Sequence, residues 1–307
     1  MPIEDDAGLG ALLAGGEVSV CCDGFTFTEG PVWVADDDCL LFSDIPNDRI
    51  YRWRPGSGTG GAEVYRAPSR NSNGLTLDRA GRLLACEHSG RQVSAAPYDP
   101  GPAPDQAVTP LATRHEGYRL NSPNDIVVHS SGVMFFTDPT YGLRDAGISG
   151  EMSFRGVYRL ERDGSLTPLD RTFSQPNGLA LSPDERVLYV GDSEERLIRR
   201  FTLGAGGGLR GGELFVDMRG DPRPGVPDGM KVDEDGRLWT TGAGGIWVIA
   251  PDGTVLGVLP IPEKTANVCF GGPDFSTIFI TAHTSVYMVE TRVRGLGPGS
   301  RAGSRGA

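Results

Sequence analysis

Six short phrases along the chain place an oxygen-bearing side chain directly before an apolar, strand-like segment. Carboxylate and amide oxygens are hard ligands, and such a set suits Ca²⁺, which takes roughly six to eight oxygens, better than Zn²⁺, which usually recruits His or Cys. A divalent ion held there would polarise a carbonyl or phosphoryl group and lower the pKa of a bound water. The six side chains are Glu29, Asn73, Asn124, Asn177, Asp228 and Asn267.

The spacing of these residues indicates a repeated structural unit. Successive members are 44, 51, 53, 51 and 39 positions apart, and each interval is long enough for a four-stranded sheet. Small sheets of this kind cannot bury both faces alone, so we predict an all-β fold, a single six-bladed β-propeller, in which the innermost strands all begin at one rim of a central channel. A pair of β-sandwiches is the alternative, but it does not explain the recurrence.

The predicted propeller occupies residues 19–291. Residues 1–18 are expected to form a lead-in at one end, and residues 292–307, rich in Gly, Ser and Arg, a disordered tail. The high content of glycine (45) and proline (23), with no sustained helical periodicity, also favours a nearly all-β chain.

Each of the six residues also has a purely structural interpretation. Asn-Gly and Asp-Gly are favoured turn pairs, and for any one position alone the turn explains the sequence better. Glutamate, however, rarely forms such turns, which argues against a turn at Glu29. Asn124, Asn177 and Asp228 also share a context, since all three follow proline. Convergence on one site therefore explains the set better than six separate turns.

Composition narrows the choice of partners. A net charge of −11 disfavours nucleic acid, because phosphate binding depends on clustered Lys and Arg. No apolar run is long enough to cross a bilayer, and no basic, apolar leader is evident, so we expect a cytoplasmic protein without a membrane partner. The five cysteines lack metal-type spacing and are expected to be reduced core residues.

Several motifs together resemble the SMP-30/gluconolactonase (regucalcin-like) family over roughly residues 20 to 290. They are FTEGPVW at 27–33, LNSPND at 120–125, FTDP at 136–139, QPNGLA at 175–180, PDGMKVD at 227–233 and TANVCFGGPD at 265–274.

The resemblance implies a six-bladed propeller with a divalent metal at the channel floor, most often Ca²⁺, with Zn²⁺, Mg²⁺ or Mn²⁺ as alternatives. It implies Glu29, Asn124, Asn177 and Asp228 as metal ligands, with Asp228 also acting as general base or nucleophile. The implied reaction is that of a gluconolactonase-type lactone hydrolase, which opens a sugar lactone such as glucono-1,5-lactone to the aldonic acid.

Around the metal, we expect contacts between several polar side chains and the substrate hydroxyl groups. The expected contacts are Asn73, Asn121, Tyr141, His88 and Arg119; a structural role for His88 and a solvated one for Arg119 are the alternatives. Asp125 is expected to orient an amide or a water behind the ligands. Loops 97–110 and 141–154 are expected to select the substrate.

Other functions remain open at this point. The same metal site would also suit a non-sugar lactone or a phosphotriester, and a non-catalytic calcium-binding scaffold is a further alternative. A serine hydrolase is excluded, because Ser193 lacks the Gly-x-Ser-x-Gly turn and His115, His129 and His283 are scattered. The predicted partner is a small-molecule lactone, and the oligomeric state stays open.

Overall fold

The protein is described by a computed structural model that covers residues 3–15, 17–101, 107–204 and 206–298, and most of its regular structure is β-strand. The chain begins with helix α1 (Leu9–Leu12) and strand β1 (Ser19–Asp23). The first blade then contains β2 (Thr28–Val34), β3 (Cys39–Asp44), β4 (Arg49–Trp53) and β5 (Glu63–Arg66), and the second contains β6 (Ser72–Leu77), β7 (Arg82–Glu87), β8 (Gln92–Pro97) and β9 (Thr109–Ala112).

A short hairpin, β10 (Arg114–His115) and β11 (Tyr118–Arg119), leads into the third blade. That blade contains β12 (Ile126–Val128), β13 (Met134–Asp138), helix α2 (Tyr141–Ala146), β14 (Gly156–Leu160) and β15 (Leu166–Asp170). The fourth contains β16 (Pro176–Leu181), β17 (Val187–Asp192), β18 (Leu197–Leu203) and β19 (Leu209–Asp217). The fifth contains β20 (Met230–Val232), β21 (Leu238–Gly242), β22 (Gly245–Ile249) and β23 (Val255–Pro260), and the sixth contains β24 (Thr265–Gly271), β25 (Thr277–Ala282) and β26 (Ser285–Glu290).

The six sheets form the predicted six-bladed β-propeller. Five blades are antiparallel sheets of four consecutive strands, whereas the sixth has the order β1-β26-β25-β24. The outermost strand of the last blade therefore comes from the start of the chain, with Ser19 paired to Met288 and Asp23 to Ser285. This pairing closes the ring through backbone hydrogen bonds, and the sequence alone did not reveal it because β1 reads like any other strand.

Glycine explains how closely the innermost strands approach one another. A Cβ atom on Gly178 would lie 1.9 Å from the carbonyl oxygen of Asp228 in the next blade, and one on Gly30 would lie 1.9 Å from that of Asn73. Both positions need glycine because neighbouring backbone already fills the space of a side chain. The recurring pair of a polar residue and glycine thus marks contact between blades in these strands, rather than isolated turns.

The core lies between the blades. Trp33 stacks on Phe279 of the sixth blade with ring centroids 5.2 Å apart, and Trp239 is fully buried, so these tryptophans pack blades as their type suggests. All five cysteines are buried and free. No helix in the described ranges is long and apolar enough to cross a membrane.

The first and the last described segments of the chain both lie against the propeller. Glu4 pairs with Val258 and Leu13 with Thr291 in isolated β-bridges. Residues 292–298, which the sequence assigns to a disordered tail, are also packed, since Gly295 bridges Asp233 and donates its N–H to Phe275. The remainder of that tail, residues 299–307, lies outside the described residues.

Candidate metal centre and active-site cavity

A cavity of about 830 Å³ opens at the rim where the innermost strands begin. Its walls come from the segments that lead into the innermost strands and from the loops that join the second and third strands of every blade except the fifth. Five of the six oxygen-bearing residues singled out in the sequence line it, namely Glu29, Asn73, Asn124, Asn177 and Asp228. The sheet architecture has therefore brought together residues from the first to the fifth blade.

Two carboxyl groups face each other at the floor of this cavity. Asp228 lies in hydrogen-bonding contact with Glu29, which is only 2 % exposed. Burial raises the pKa of Glu29 to about 7, against hydrogen bonds from Asn267 and Gly30 that favour the ionised form. Burial and the charge of Glu29 raise the pKa of Asp228 well above its ordinary value. Two such groups in contact require either a shared proton or a bound cation.

The amide of Asn177 is oriented by its neighbour Ser193. The hydroxyl of Ser193 has a single proton, which it donates to the carbonyl oxygen of Pro227 at 2.7 Å. It must therefore accept the hydrogen bond from the Asn177 Nδ2 amide at 2.9 Å. This fixes the amide, and the buried Oδ1 of Asn177 is left without a hydrogen-bond partner in the described part of the chain. A buried, unpaired carbonyl oxygen is an available metal ligand.

The remaining inner positions have different environments. Asn124 lines the cavity and is 3 % exposed. Asn73 Nδ2 lies 3.4 Å from Nε2 of His88, and its buried Oδ1 has no partner among the described residues. Asn267 does not line the cavity, because its Nδ2 donates to Glu29 Oε2 at 2.9 Å and its Oδ1 accepts from Val268. Asn267 therefore positions Glu29 across the junction between the sixth and first blades.

This donor set fits a divalent cation. Glu29 and Asp228 supply two carboxylates in contact, and the same cavity is lined by Asn124 and by Asn177, whose amide oxygen has no hydrogen-bond partner among the described residues. Over residues 3–15, 17–101, 107–204 and 206–298, no group of three or more His, Cys, Asp or Glu side chains is placed to hold a metal. A site at this floor must therefore include amide oxygens, which suits a hard ion such as Ca²⁺.

Tyr141 and His88 lie in the cavity wall, where they were expected. Tyr141 begins helix α2, and its hydroxyl contacts the side chains of Ser193 and Asn177; burial and the charge of Asp228 raise its pKa to about 12. Burial lowers the pKa of His88 to about 4, so its ring is neutral at pH 7. Both side chains are therefore neutral hydrogen-bonding groups beside the two carboxyls.

Three other expected residues lie outside the cavity lining. Asn121 donates its amide to the carbonyl oxygens of Asp138 and Phe154, and Arg119 donates to that of Gly90. These bonds hold the loop before the third blade, so no substrate contact is proposed for either. Asp125 is buried behind the wall and accepts from the N–H of Ile126, and its charge acts on Glu29 and Asp228.

One of the two loops expected to select the substrate faces the opposite end of the channel. Strand β8 runs away from the cavity rim, so the loop that follows Pro97 emerges at the far end, where the Tyr98 hydroxyl donates to Asp37. The expectation for loop 97–110 was therefore wrong, and residues 102–106 within it lie outside the described residues. Loop 141–154 does reach the cavity through Tyr141, Gly142, Asp145 and Ala146.

Sequence reasoning missed several residues of the cavity wall. Ser193 was considered only as a nucleophile, and its orienting role depends on the carbonyl of Pro227, which lies 34 positions away. Lys264 and His283 also line the cavity, and neither belongs to the repeated phrase. A signal was available for Lys264, which directly precedes the innermost strand of the sixth blade, at the rim where the innermost strands begin.

Comparison with known proteins identifies relatives along most of the chain. A family model described as "SMP-30/Gluconolactonase/LRE-like region" matches residues 27–284. A gluconolactonase of Zymomonas mobilis is 35% identical over 300 residues, which cover 91% of this chain and 82% of the relative. A pentonolactonase of Haloferax volcanii is 31% identical over 263 residues, covering 82% of this chain and 80% of the relative.

A solved structure agrees with these relatives. The gluconolactonase structure from Xanthomonas campestris superposes with a TM-score of 0.84 and 33% identity, covering 94% of both chains. The similarity extends across all six blades, so it includes the strands that form the cavity floor.

Proposed function

This chain belongs to the SMP-30/gluconolactonase/LRE-like family, and we propose that it is a divalent-metal-dependent hydrolase that opens a sugar lactone to the corresponding aldonic acid. The observation that carries the proposal is the contact between the carboxyl groups of Glu29 and Asp228 in a cavity that Asn177, with its unpaired amide oxygen, also lines. Lactone hydrolysis is the activity named in relatives that share 31–35% of their sequence with this chain.

Glu29, Asn124, Asn177 and Asp228 would hold the metal, with Ca²⁺ the ion best suited to their oxygens. When bound, the ion supplies a positive charge that polarises the lactone carbonyl and stabilises the oxyanion. Asp228 is more exposed than Glu29, and this supports its assignment as the carboxylate that accepts the proton of an attacking water. That proton then passes to the ring oxygen as the ester bond breaks.

The neighbouring neutral groups are suited to orient a sugar. Tyr141 and His88 offer hydrogen bonds without a charge that would compete for the cation, and Asn73 offers an unpaired Oδ1. A polyhydroxylated ring satisfies several such donors and acceptors at once, whereas a purely apolar lactone would leave them unpaired. This favours a sugar lactone over an alkyl lactone.

The proposal is tested by acid release from glucono-1,5-lactone, a five-carbon sugar lactone, an alkyl lactone and a phosphotriester, with and without chelator. We expect hydrolysis of the sugar lactones above the spontaneous rate, loss on chelation and recovery with Ca²⁺. Asp228→Asn should lower kcat by at least about a hundredfold, the lower bound for loss of a general base. Activity only on the phosphotriester, or full activity with chelator present, would refute the proposal, and activity on no substrate would favour a calcium-binding scaffold.

A further inference from the structure

The chain contains only two lysines, and both lie along the central channel. Of 29 basic residues, Lys231 and Lys264 are the sole lysines, and the others are arginines spread over the sequence. Lysine carries a compact ammonium on a flexible stem, whereas arginine presents a broad planar fork. Lys231 and Lys264 therefore differ from the arginines both in the chemistry of the side chain and in their location along the channel.

Lys231 acts on the metal floor from the far side. It lines a smaller cavity of about 90 Å³ in the lower half of the channel, and its Nζ donates to the carbonyl oxygen of Met230 at 3.0 Å. Its positive charge opposes the rise in the pKa of both Glu29 and Asp125. Lys231 is thus a counter-charge to the buried carboxylates.

The charges around the floor then balance without the second lysine. Glu29, Asp125 and Asp228 carry three negative charges when ionised, and a divalent ion together with Lys231 supplies three positive charges. A neutral centre of this kind limits the cost of burying charge. Lys264 therefore adds a positive charge that the resident groups do not require.

Lys264 is exposed and lines the substrate cavity above the floor. Asp228 lines the same cavity, so both groups face the space that a substrate would occupy. In the described ranges its ammonium has no hydrogen bond or ion pair, and the adjacent Glu263 is already bound by Thr284 and Tyr287. The ammonium is therefore available to a molecule in the cavity.

The reaction creates the anion that such a group would bind. Water adds its oxygen to the carbonyl carbon and the bond from that carbon to the ring oxygen breaks. The ring oxygen takes a proton, and the new carboxylic acid releases one to solvent at neutral pH. A neutral lactone thus becomes an aldonate with one negative charge.

We propose that the ammonium of Lys264 binds the carboxylate of the aldonate formed on ring opening, so that the site distinguishes the anionic product from a neutral polyol of the same size. The proposal rests on the lactone hydrolase function. Lys264 would then interact with the anionic product and with the negative charge that develops as the product forms. It would have little effect on the binding of the neutral lactone before the reaction.

Calorimetric titration of the Ca²⁺-loaded full chain with D-gluconate and with the neutral polyol D-glucitol tests this, at low ionic strength. We expect Lys264→Gln to weaken gluconate binding about fivefold and glucitol binding by less than twofold, with Lys264→Arg in between. The matched control is Arg186→Gln, which removes one positive charge from a side chain that is 82% exposed at the far end of the propeller. This control should leave both affinities unchanged.

A gluconate affinity that is the same in wild type and Lys264→Gln, or that falls equally in Arg186→Gln, would overturn the assignment. So would a wild-type protein that binds gluconate no more tightly than glucitol. Hydrolysis of glucono-1,5-lactone is measured separately on the same preparations. An active wild type with unselective binding refutes only the role of Lys264, whereas an inactive wild type refutes the lactone hydrolase function.

Discussion

Gly178→Ala tests whether the spacing between blades sets the metal site. A Cβ atom at this position would lie 1.9 Å from the carbonyl oxygen of Asp228, 2.8 Å from its carbonyl carbon and 2.9 Å from Cα of Gly229. All three are backbone atoms, so no side chain can rotate away. Gly178 does not lie in the left-handed region, so the substitution adds crowding without backbone strain.

The size of the effect follows from the displacement that the methyl group demands. Real Cβ contacts essentially never fall under 3.0 Å, so the fourth and fifth blades must separate by about an ångström. Overpacking of this kind costs about 3 kcal/mol, the upper part of its usual range. With an unfolding entropy of about 2 cal/mol/K per residue, that loss lowers the Tm of a 307-residue chain by about 5 °C.

The same displacement separates two proposed metal ligands. Asn177 and Asp228 sit on either side of the Gly178 contact, and ligand distances are usually held within about 0.2 Å. We therefore expect Ca²⁺ affinity, measured by calorimetric titration, to fall by more than tenfold. Gly220→Ala is the control, since a Cβ there meets no described atom within 4 Å and the position is exposed. It should leave both Tm and affinity near their wild-type values.

A Gly178→Ala protein with wild-type Tm and wild-type Ca²⁺ affinity would refute the reasoning. It would mean that the blades tolerate an ångström of separation without moving the ligands. Loss of Tm with unchanged affinity would show that the contact is structural but that Asn177 and Asp228 do not share a cation.

Three further outcomes are expected. Ser193→Ala should lower Ca²⁺ affinity about tenfold, measured by titration, because it frees the Asn177 amide to rotate. Ca²⁺ affinity should also fall about tenfold for each pH unit below 7, because burial raises the pKa of Glu29 to about 7 and a proton then competes with the metal. A Ca²⁺ affinity that stays constant from pH 5.5 to 7.5 would contradict this. Burial likewise raises the pKa of Asp138 to about 7, so the folded state holds a proton that the unfolded chain releases near pH 4. The stability contributed by this proton is therefore lost as pH rises from about 4 through 7, and the loss levels off above that pH. With chelator present, Asp138→Asn should show a smaller drop in Tm between pH 6 and 8 than wild type.

The propeller could be predicted because its repeat has a steric cause. Where the innermost strands approach most closely there is no room for a side chain after the polar residue, so glycine follows that residue in four of the six units. The gathering of Glu29 and Asp228 at one rim follows from the same repeat. Neither conclusion needs the orientation of any individual side chain.

Side-chain roles that depend on partners distant in the sequence could not be predicted from the sequence. Asn121 looks as polar and as well placed as Asn124, yet its amide is bound to the carbonyl oxygens of Asp138 and Phe154. Loop 97–110 looks as long and irregular in sequence as loop 141–154, but strand direction sends it to the opposite end. Helix α2 was also missed, since six residues are too few for a helical period to stand out within a loop.

The binding site and the closure of the fold depend on the same contacts. Glu29, Asn124, Asn177 and Asp228 belong to the first, third, fourth and fifth blades, and a single cation bound by all four would tie these blades together at the axis. Asn267 of the sixth blade reaches the same centre through its hydrogen bond to Glu29, across the seam that β1 closes at the outer edge. A ligand that binds only the folded state stabilises it by mass action. A bound metal should therefore protect the seam, and its removal should loosen the pairing of β1 with β26 before the other strands of the blades separate.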